Sequence, residues 1–377
     1  MKGHLVDANV PKARDALGVP VPPVPVVRAA NRAVGVLERL EKAMQPSFQL
    51  LLDRLFGMVD TKALDGAVAI GLPDLLVGGA RTAEELAAEA GADPDAVERL
   101  LRYLVSRGFF ERTRQGSYAN NAASELLRKD HPWSWQPWVR FFGSDWNAQI
   151  WNQLPERVRT GTPATELAFG TSFFDFINHQ HEAAGADFNS AMECGARVQA
   201  AIFGENIDLS EYRRVCDVGG GTGIALAHLL RLHPHLRGLV FDVPELAERA
   251  GRLLGDLQVS ERADFVAGDF FEDVPDGADL YTMFAVIHDW DDASCVRILR
   301  NTKRAAGRDG RIMVVEKPLS NGGEPDFAKV SDMLMLMLGD GGRERTLDEY
   351  RQLFQDAGLQ IRRDVTLPSL FHVFELE

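Results

Sequence analysis

The sequence predicts an α/β protein, mainly helical in its N-terminal half and built on an open, mainly parallel sheet in its C-terminal half. Two patterns predict this. After about Asn206, short apolar runs alternate with helix-length segments, and one run leads straight into a glycine-rich turn. Before that point helical periodicity dominates, interrupted by one short hairpin signal. The 377 residues are enough for two or three domains, and the patterns divide the chain at 1–45, 46–205 and 206–377.

Residues 19–27 read Val-Pro-Val-Pro-Pro-Val-Pro-Val-Val. Pro20, Pro22, Pro23 and Pro25 remove amide donors and fix φ, which predicts an extended arm. From Arg28 to Ala43 the apolar residues Val34, Leu37, Leu40 and Ala43 recur at every third position. That spacing predicts a helix that either lies on the next domain or is exchanged within a dimer. Further on, Thr82 and Glu85 form a capping box, and Asp93 followed by Pro94 starts a second helix. Val97, Leu100, Leu101 and Leu104 share one face of that helix, which stops at Gly108. Residues 109–112 and 117–119 flank Gly116 as a hairpin would. Helix, turn, helix and wing together make a winged-helix outline.

Charge decides how that outline is used. The second helix offers Arg99, Arg102 and Arg107, but Asp95 and Glu98 are interleaved with them. The whole chain holds 55 acidic against 41 basic residues, a net charge of −14. A surface this acidic repels phosphate backbones and anionic lipid, so association between chains is expected rather than nucleic-acid binding. Cys194, Cys216 and Cys295 are the three cysteines, with no CxxC pair, which supports neither a disulfide framework nor a zinc site. A reducing cytoplasm is the expected setting. No apolar run reaches the roughly 18 residues of a membrane span, and the first twenty residues lack the apolar centre of a signal peptide. Trp133, Trp135, Trp138, Trp146 and Trp151 crowd one helical stretch, suited to a core, an interface or the wall of a pocket for a flat ligand.

The C-terminal half carries the strongest local signal. Val215-Cys216-Asp217-Val218-Gly219-Gly220-Gly221-Thr222-Gly223 reads as a strand, a glycine turn and the start of a helix. Further strands are expected at 238–241, 264–266, 280–284 and 312–315, with a terminal hairpin over 359–377 broken at Pro368. Glycine lets a ligand approach backbone that a side chain would cover, and open α/β sheets bind ligands beyond the carboxyl ends of their strands. The dinucleotide spacing fails, because the third glycine position holds Ile224 or Leu226, and no GK[ST] follows for a P-loop. Asp242 ends the next strand, 19 residues after Gly223, where a carboxylate accepts ribose hydroxyls and repels phosphate. Gly268-Asp269-Phe270-Phe271 ends the third strand with a carboxylate and aromatics suited to an adenine edge and face. In this order the elements fit a nucleoside without phosphates, S-adenosylmethionine.

His288 lies in Ile287-His288-Asp289-Trp290-Asp291-Asp292, just past the fourth strand. Glu316 ends the fifth strand, and Glu344 lies in Gly341-Gly342-Arg343-Glu344-Arg345-Thr346. Methyl transfer to a phenol requires loss of a proton near neutral pH, the task for which histidine is suited. Two carboxylates converging on the far ring nitrogen would fix its tautomer and stabilise the imidazolium.

The glycine loop, Asp242, the GDFF segment, HDWDD, Glu316 and GGRERT together resemble the plant caffeic-acid-type and bacterial small-molecule O-methyltransferases, over about Gln45 to Glu377. The resemblance implies a Rossmann-like class I methyltransferase domain behind a winged-helix-like dimerisation domain, and hence a homodimer. By it, Gly219, Gly221, Asp242, Asp269 and Phe270 hold the cofactor, and His288 is the base flanked by Glu316 and Glu344. Phe188-Asn189-Ser190-Ala191-Met192 resembles the segment whose Phe188 and Met192 positions meet substrate. Residues 331–335 resemble the helix that closes over the acceptor, where Met333 and Met337, one turn apart, share a face unless they serve ordinary packing. Plant members carry lysine four residues before the histidine; here that position is Phe284, so its side-chain contact is not carried over. No carboxylate pattern like that of the magnesium-dependent catechol methyltransferases is present, and no metal is expected. The expected reaction is methylation of an aromatic hydroxyl, with no nucleic-acid or membrane partner. A carbon- or nitrogen-methylating relative, a non-methylating one, and a winged-helix regulator are the alternatives.

Overall fold

The computed structural model describes residues 22–339 and 341–377. Its contacts group them into two compact units. One contains the described residues up to Arg32 with Ile150–Gly185 and Gly195–Glu377; the other contains Ala33–Gln149 and Ala186–Cys194. This grouping differs from the pattern-based boundary at 205/206, because Ile150–Gly185 and the stretch from Gly195 to Asn206 group with the residues of the sheet.

The proline-rich arm needs a correction. Residues 19–21 lie outside the described residues, but helix α1 runs over Val24–Met44 and so begins inside the proline segment. The carbonyl of Pro23 accepts from the amides of Val26 and Val27. Pro25 therefore sits in the first turn, where a missing amide costs no intrahelical bond.

Helices α2 (Ser47–Leu55) and α3 (Gly57–Ala69) follow. Leu37 and Leu40 of α1 and Phe48, Leu51 and Leu55 of α2 are exposed. Helix α4 (Ala83–Ala90) starts at the Thr82–Glu85 capping box, and α5 (Pro94–Ser106) at Asp93, whose side chain accepts from the Ala96 amide. Strands β1 (Glu111–Arg112) and β2 (Tyr118–Ala119) pair antiparallel as the wing. Leu86, Val97, Leu101, Leu104, Phe110 and Tyr118 close the core beneath. In α6 (Gln136–Gly143), Trp138 stacks on Trp135 and Phe142, so much of the tryptophan cluster is packing for this unit.

Helix α7 (Glu182–Asn206) leads to the sheet. Strands β3 (Arg214–Val218), β4 (Arg237–Asp242), β5 (Ala263–Ala267), β6 (Leu280–Phe284) and β7 (Arg311–Glu316) are all parallel. Strands β8 (Ile361–Thr366) and β9 (His372–Leu376) are antiparallel, giving the order β5-β4-β3-β6-β7-β9-β8. Helices α8 (Ile224–Leu232), α9 (Ala247–Asp256), α10 (Asp292–Ala306), α11 (Phe327–Leu338) and α12 (Leu347–Asp356) complete the unit. The inner strands are buried along nearly their whole length, as strands covered on both faces must be. Chain order reverses between β3 and β6, which puts a topological switch point at the carboxyl end of β3.

Candidate active site

Five strand ends supply the site residues. The turn after β3 holds Gly219, Gly221 and Gly223 at φ of 68°, 59° and 82°, the left-handed region that side chains avoid. A Cβ on Gly219 would lie 2.9 Å from Val286, so this turn packs directly on the turn after β6. A Cβ on Gly221 would meet nothing within 4 Å, which leaves room over the loop for a ligand. Asp242 at the end of β4 cradles that loop. Its Oδ2 accepts the Gly221 amide and its Oδ1 the Val243 amide, each at 2.7 Å. Burial raises its pKa, and those two amides oppose the rise. Each oxygen keeps a lone pair free for a further donor. Asp269 is exposed beyond β5 and accepts the Phe271 amide at 2.8 Å. Phe270 is half-buried and meets Trp290 edge to face at 5.7 Å. Trp290 also stacks with Phe174 at 5.6 Å. An open glycine turn, a carboxylate at the ribose position and adjacent aromatics fit S-adenosylmethionine.

The histidine lies one turn from that cradle. Ala285, after β6, has φ of 52° and leads into the 3₁₀ turn Ile287–Asp289. His288 Nδ1 lies 2.8 Å from Glu344 Oε1 and 4.0 Å from Glu316 Oε2. Both glutamates approach the imidazole, but they do different things. Glu344 is its direct hydrogen-bond partner. Glu316 accepts the Ile287 amide at 2.8 Å and so holds the backbone before the histidine. Asp289, to which sequence reasoning gave no role, lies 3.6 Å from Nε2. Ser331 Oγ donates to the same Glu344 oxygen at 2.6 Å.

Burial works against the imidazolium, but Glu316, Asp289 and Glu344 outweigh it and raise the His288 pKa to about 10. Burial likewise pushes Glu316 up to about 7 and Asp289 to about 6. One ligand-type atom from each of His288, Glu316 and Glu344 falls within 4.8 Å of the others. The 2.8 Å contact between Nδ1 and Glu344 is a proton-sharing distance, shorter than two ligands about 2.1 Å from one ion would ordinarily take.

The proposed acceptor contacts separate. Met337 has no exposed surface, while Met333 is 38% exposed. Phe188 and Met192 are half-buried on the part of α7 that groups with the N-terminal unit. Phe284, at the position of the plant lysine, packs edge to face against Phe203. Sequence reasoning also missed Asp217 beneath the glycine turn. It is buried, accepts from Thr282 at 2.7 Å, and is pushed up to about 7 by desolvation. Its place in VCDVGGGTG was the available signal.

An O-methyltransferase domain family matches residues 151–360, and an O-methyltransferase dimerisation domain family matches residues 52–130. The chain is 35% identical to the phenazine O-methyltransferase PhzM of Lysobacter antibioticus, over 88% of this chain and 96% of that protein. It is 37% identical to the O-demethylpuromycin-O-methyltransferase of Streptomyces alboniger, over 85% and 86%. The crystal structure of LaPhzM superposes with a TM-score of 0.82 at 35% identity, covering 88% of this chain and 99% of that one. An O-methyltransferase from neocarzinostatin biosynthesis, solved with S-adenosylmethionine and 2-hydroxy-5-methyl naphthoic acid, superposes at 0.67 with 35% identity, covering 84% and 95%. No helix among the described residues is long and apolar enough to cross a membrane.

Proposed function

The chain belongs to the S-adenosylmethionine-dependent O-methyltransferases, and we propose that His288, oriented by Glu344, takes the proton of an aromatic hydroxyl as that oxygen is methylated. The cofactor, when bound, supplies an electrophilic methyl on its sulfonium. Gly219, Gly221 and Asp242 hold its nucleoside, and Asp269 and Phe270 border the adenine. The observation that carries the proposal is the 2.8 Å contact of His288 Nδ1 with Glu344, which commits that nitrogen and leaves Nε2 for the acceptor.

The electrostatics suit a phenol. The three carboxylates raise the basicity of the imidazole toward that of a phenolate, which favours transfer of the acceptor's proton to it. Turnover of a simple phenol is then expected to rise with pH, as the imidazole loses its proton. A more acidic hydroxyl enters as its anion beside the imidazolium. Much of the rate comes from holding oxygen and methyl in line.

Secondary metabolism is the setting that the named relatives support, with an aromatic natural product as acceptor. By the family resemblance Phe188, Met192, Met333 and Met337 are proposed as acceptor contacts. The dimerisation-domain match and the exposed apolar residues of α1 and α2 support a homodimer. The free cysteines support a reducing cytoplasm, and the net charge of −14 argues against nucleic acid as a partner. A transfer screen over phenols, hydroxyquinones and hydroxylated tyrosines tests the reading. The expected products are aryl methyl ethers with stoichiometric S-adenosylhomocysteine; methylation confined to amines or carbon overturns it.

A further inference from the structure

Arg345 has the largest fully buried side chain among the described residues, and the function above gives it no task. Its Nε donates to Asp292 Oδ1 at 2.9 Å, and its Nη2 lies 2.7 Å from the same oxygen. Nη1 donates to the carbonyl of Ile287 at 3.0 Å and Nη2 to that of Trp290 at 2.7 Å. These carbonyls bracket His288 and Asp289. Ile287 is thus held at both ends, its amide by Glu316 and its carbonyl by Arg345. On its own side, Arg345 follows Glu344 directly, and its carbonyl accepts the Leu319 amide at 2.9 Å. The two loops also touch where a Cβ on Gly342 would lie 2.6 Å from the Asp289 carbonyl. One guanidinium therefore spans the loop that carries Glu344 and the turn that carries His288.

We propose that Arg345 is a positioning residue that holds His288 in hydrogen-bonding register with Glu344. A planar fork of five donors serves two carbonyls and a carboxylate together; a lysine ammonium at that place cannot reach all three in one geometry. The cost of burying its charge is offset by Asp292 and the two carbonyls, and a methionine would leave those carbonyls only the Cys295 thiol and, for Ile287, the long contact from the Trp290 amide. The inference rests on the proposed role of His288 for its effect on rate, but not for its effect on the imidazole.

The groups facing that imidazole are Glu316 at the end of β7, Asp289 in its own turn and Glu344 in the following loop. Removing a nearby positive charge would by itself raise the histidine's pKa. Loss of register with Glu344 would lower it. The sign therefore separates positioning from charge alone, and a purely structural role would move neither.

The test is Arg345→Met and Arg345→Lys in the full-length protein, with the His288 ring followed by nitrogen NMR and assigned by its absence in His288→Ala. The His288 pKa is expected to fall in both variants, further in Arg345→Met. Turnover should drop about 10- to 100-fold, with cofactor affinity within about twofold of the parent. Should Arg345→Met fail to fold, Arg345→Lys decides on the same readouts. An unchanged or raised pKa in a folded variant overturns the proposal. Normal turnover in His288→Ala would instead remove the histidine as base, while the titration would still judge Arg345.

Discussion

At the scale of residues, two aspartates on the cofactor side make opposite predictions. Asp242 already serves two backbone amides and has lone pairs to spare. If these receive the ribose hydroxyls, Asp242→Ala should weaken S-adenosylmethionine binding about 10- to 100-fold, as measured by calorimetry. Unchanged affinity in a folded variant removes it from the site. Asp217 is buried, and its Oδ2 has no hydrogen-bond partner among the described residues. Its folded pKa, about 7, lies above the ordinary 3.8, so the folded state disfavours its charge. Stability is then fullest at low pH for this group and declines as pH rises from about 4 to about 7. Asp217→Asn should reduce the loss of stability between pH 5 and 8 in the cofactor-free protein by about 2–3 kcal/mol, measured by urea unfolding. An identical pH slope in the variant would contradict the burial argument. The two differ in legibility as well. Asp242 was readable because a carboxylate at a strand end has one obvious use. Asp217 lies inside a strand, where only the packing reveals that it ionises reluctantly.

At the scale of elements, the turn after β6 is the strained one. Ala285 is left-handed, a conformation that costs a non-glycine residue about 1–2 kcal/mol. Ala285→Gly, ordinarily destabilising, should leave stability unchanged or raise it by up to about 1 kcal/mol. A loss beyond about 1 kcal/mol in denaturant unfolding would mean that the turn is not strained. The strands and the α4 and α5 caps were legible in the sequence because period and capping chemistry are local. The start of α1 was not. Its prolines read as an extended arm, whereas their position in the first turn makes one of them compatible with a helix. Met333 and Met337 illustrate a related limit: one-turn spacing puts two side chains near one face, but only the neighbouring elements decide which is covered.

At the scale of the whole molecule, the N-terminal helices expose more leucine and phenylalanine than a solitary domain would keep in water. With the dimerisation-domain match, this predicts a dimer, so sedimentation at micromolar concentration should give about twice 41.7 kDa. A fully active monomer would contradict it. The divergent roles of Glu316 and Glu344 also belong to this scale, because they arise from a strand end and a loop separated by 28 residues in the sequence. The sequence marked both as acidic neighbours of His288. It did not distinguish the one that holds the backbone from the one that holds the ring, because that depends on where β7 ends relative to the turn after β6.

The claim that His288 accepts the acceptor's proton is tested most directly by the pH dependence of kcat for a simple phenol in the parent and in His288→Ala. The parent should gain activity through an alkaline apparent pKa, the direction set by the three carboxylates around the ring. In His288→Ala kcat at neutral pH should fall about 10²- to 10⁴-fold, with cofactor affinity nearly unchanged, and the remaining activity should rise only as the phenol itself ionises. Near-normal turnover with the same pH limb in the variant would contradict the account and assign the proton to another group.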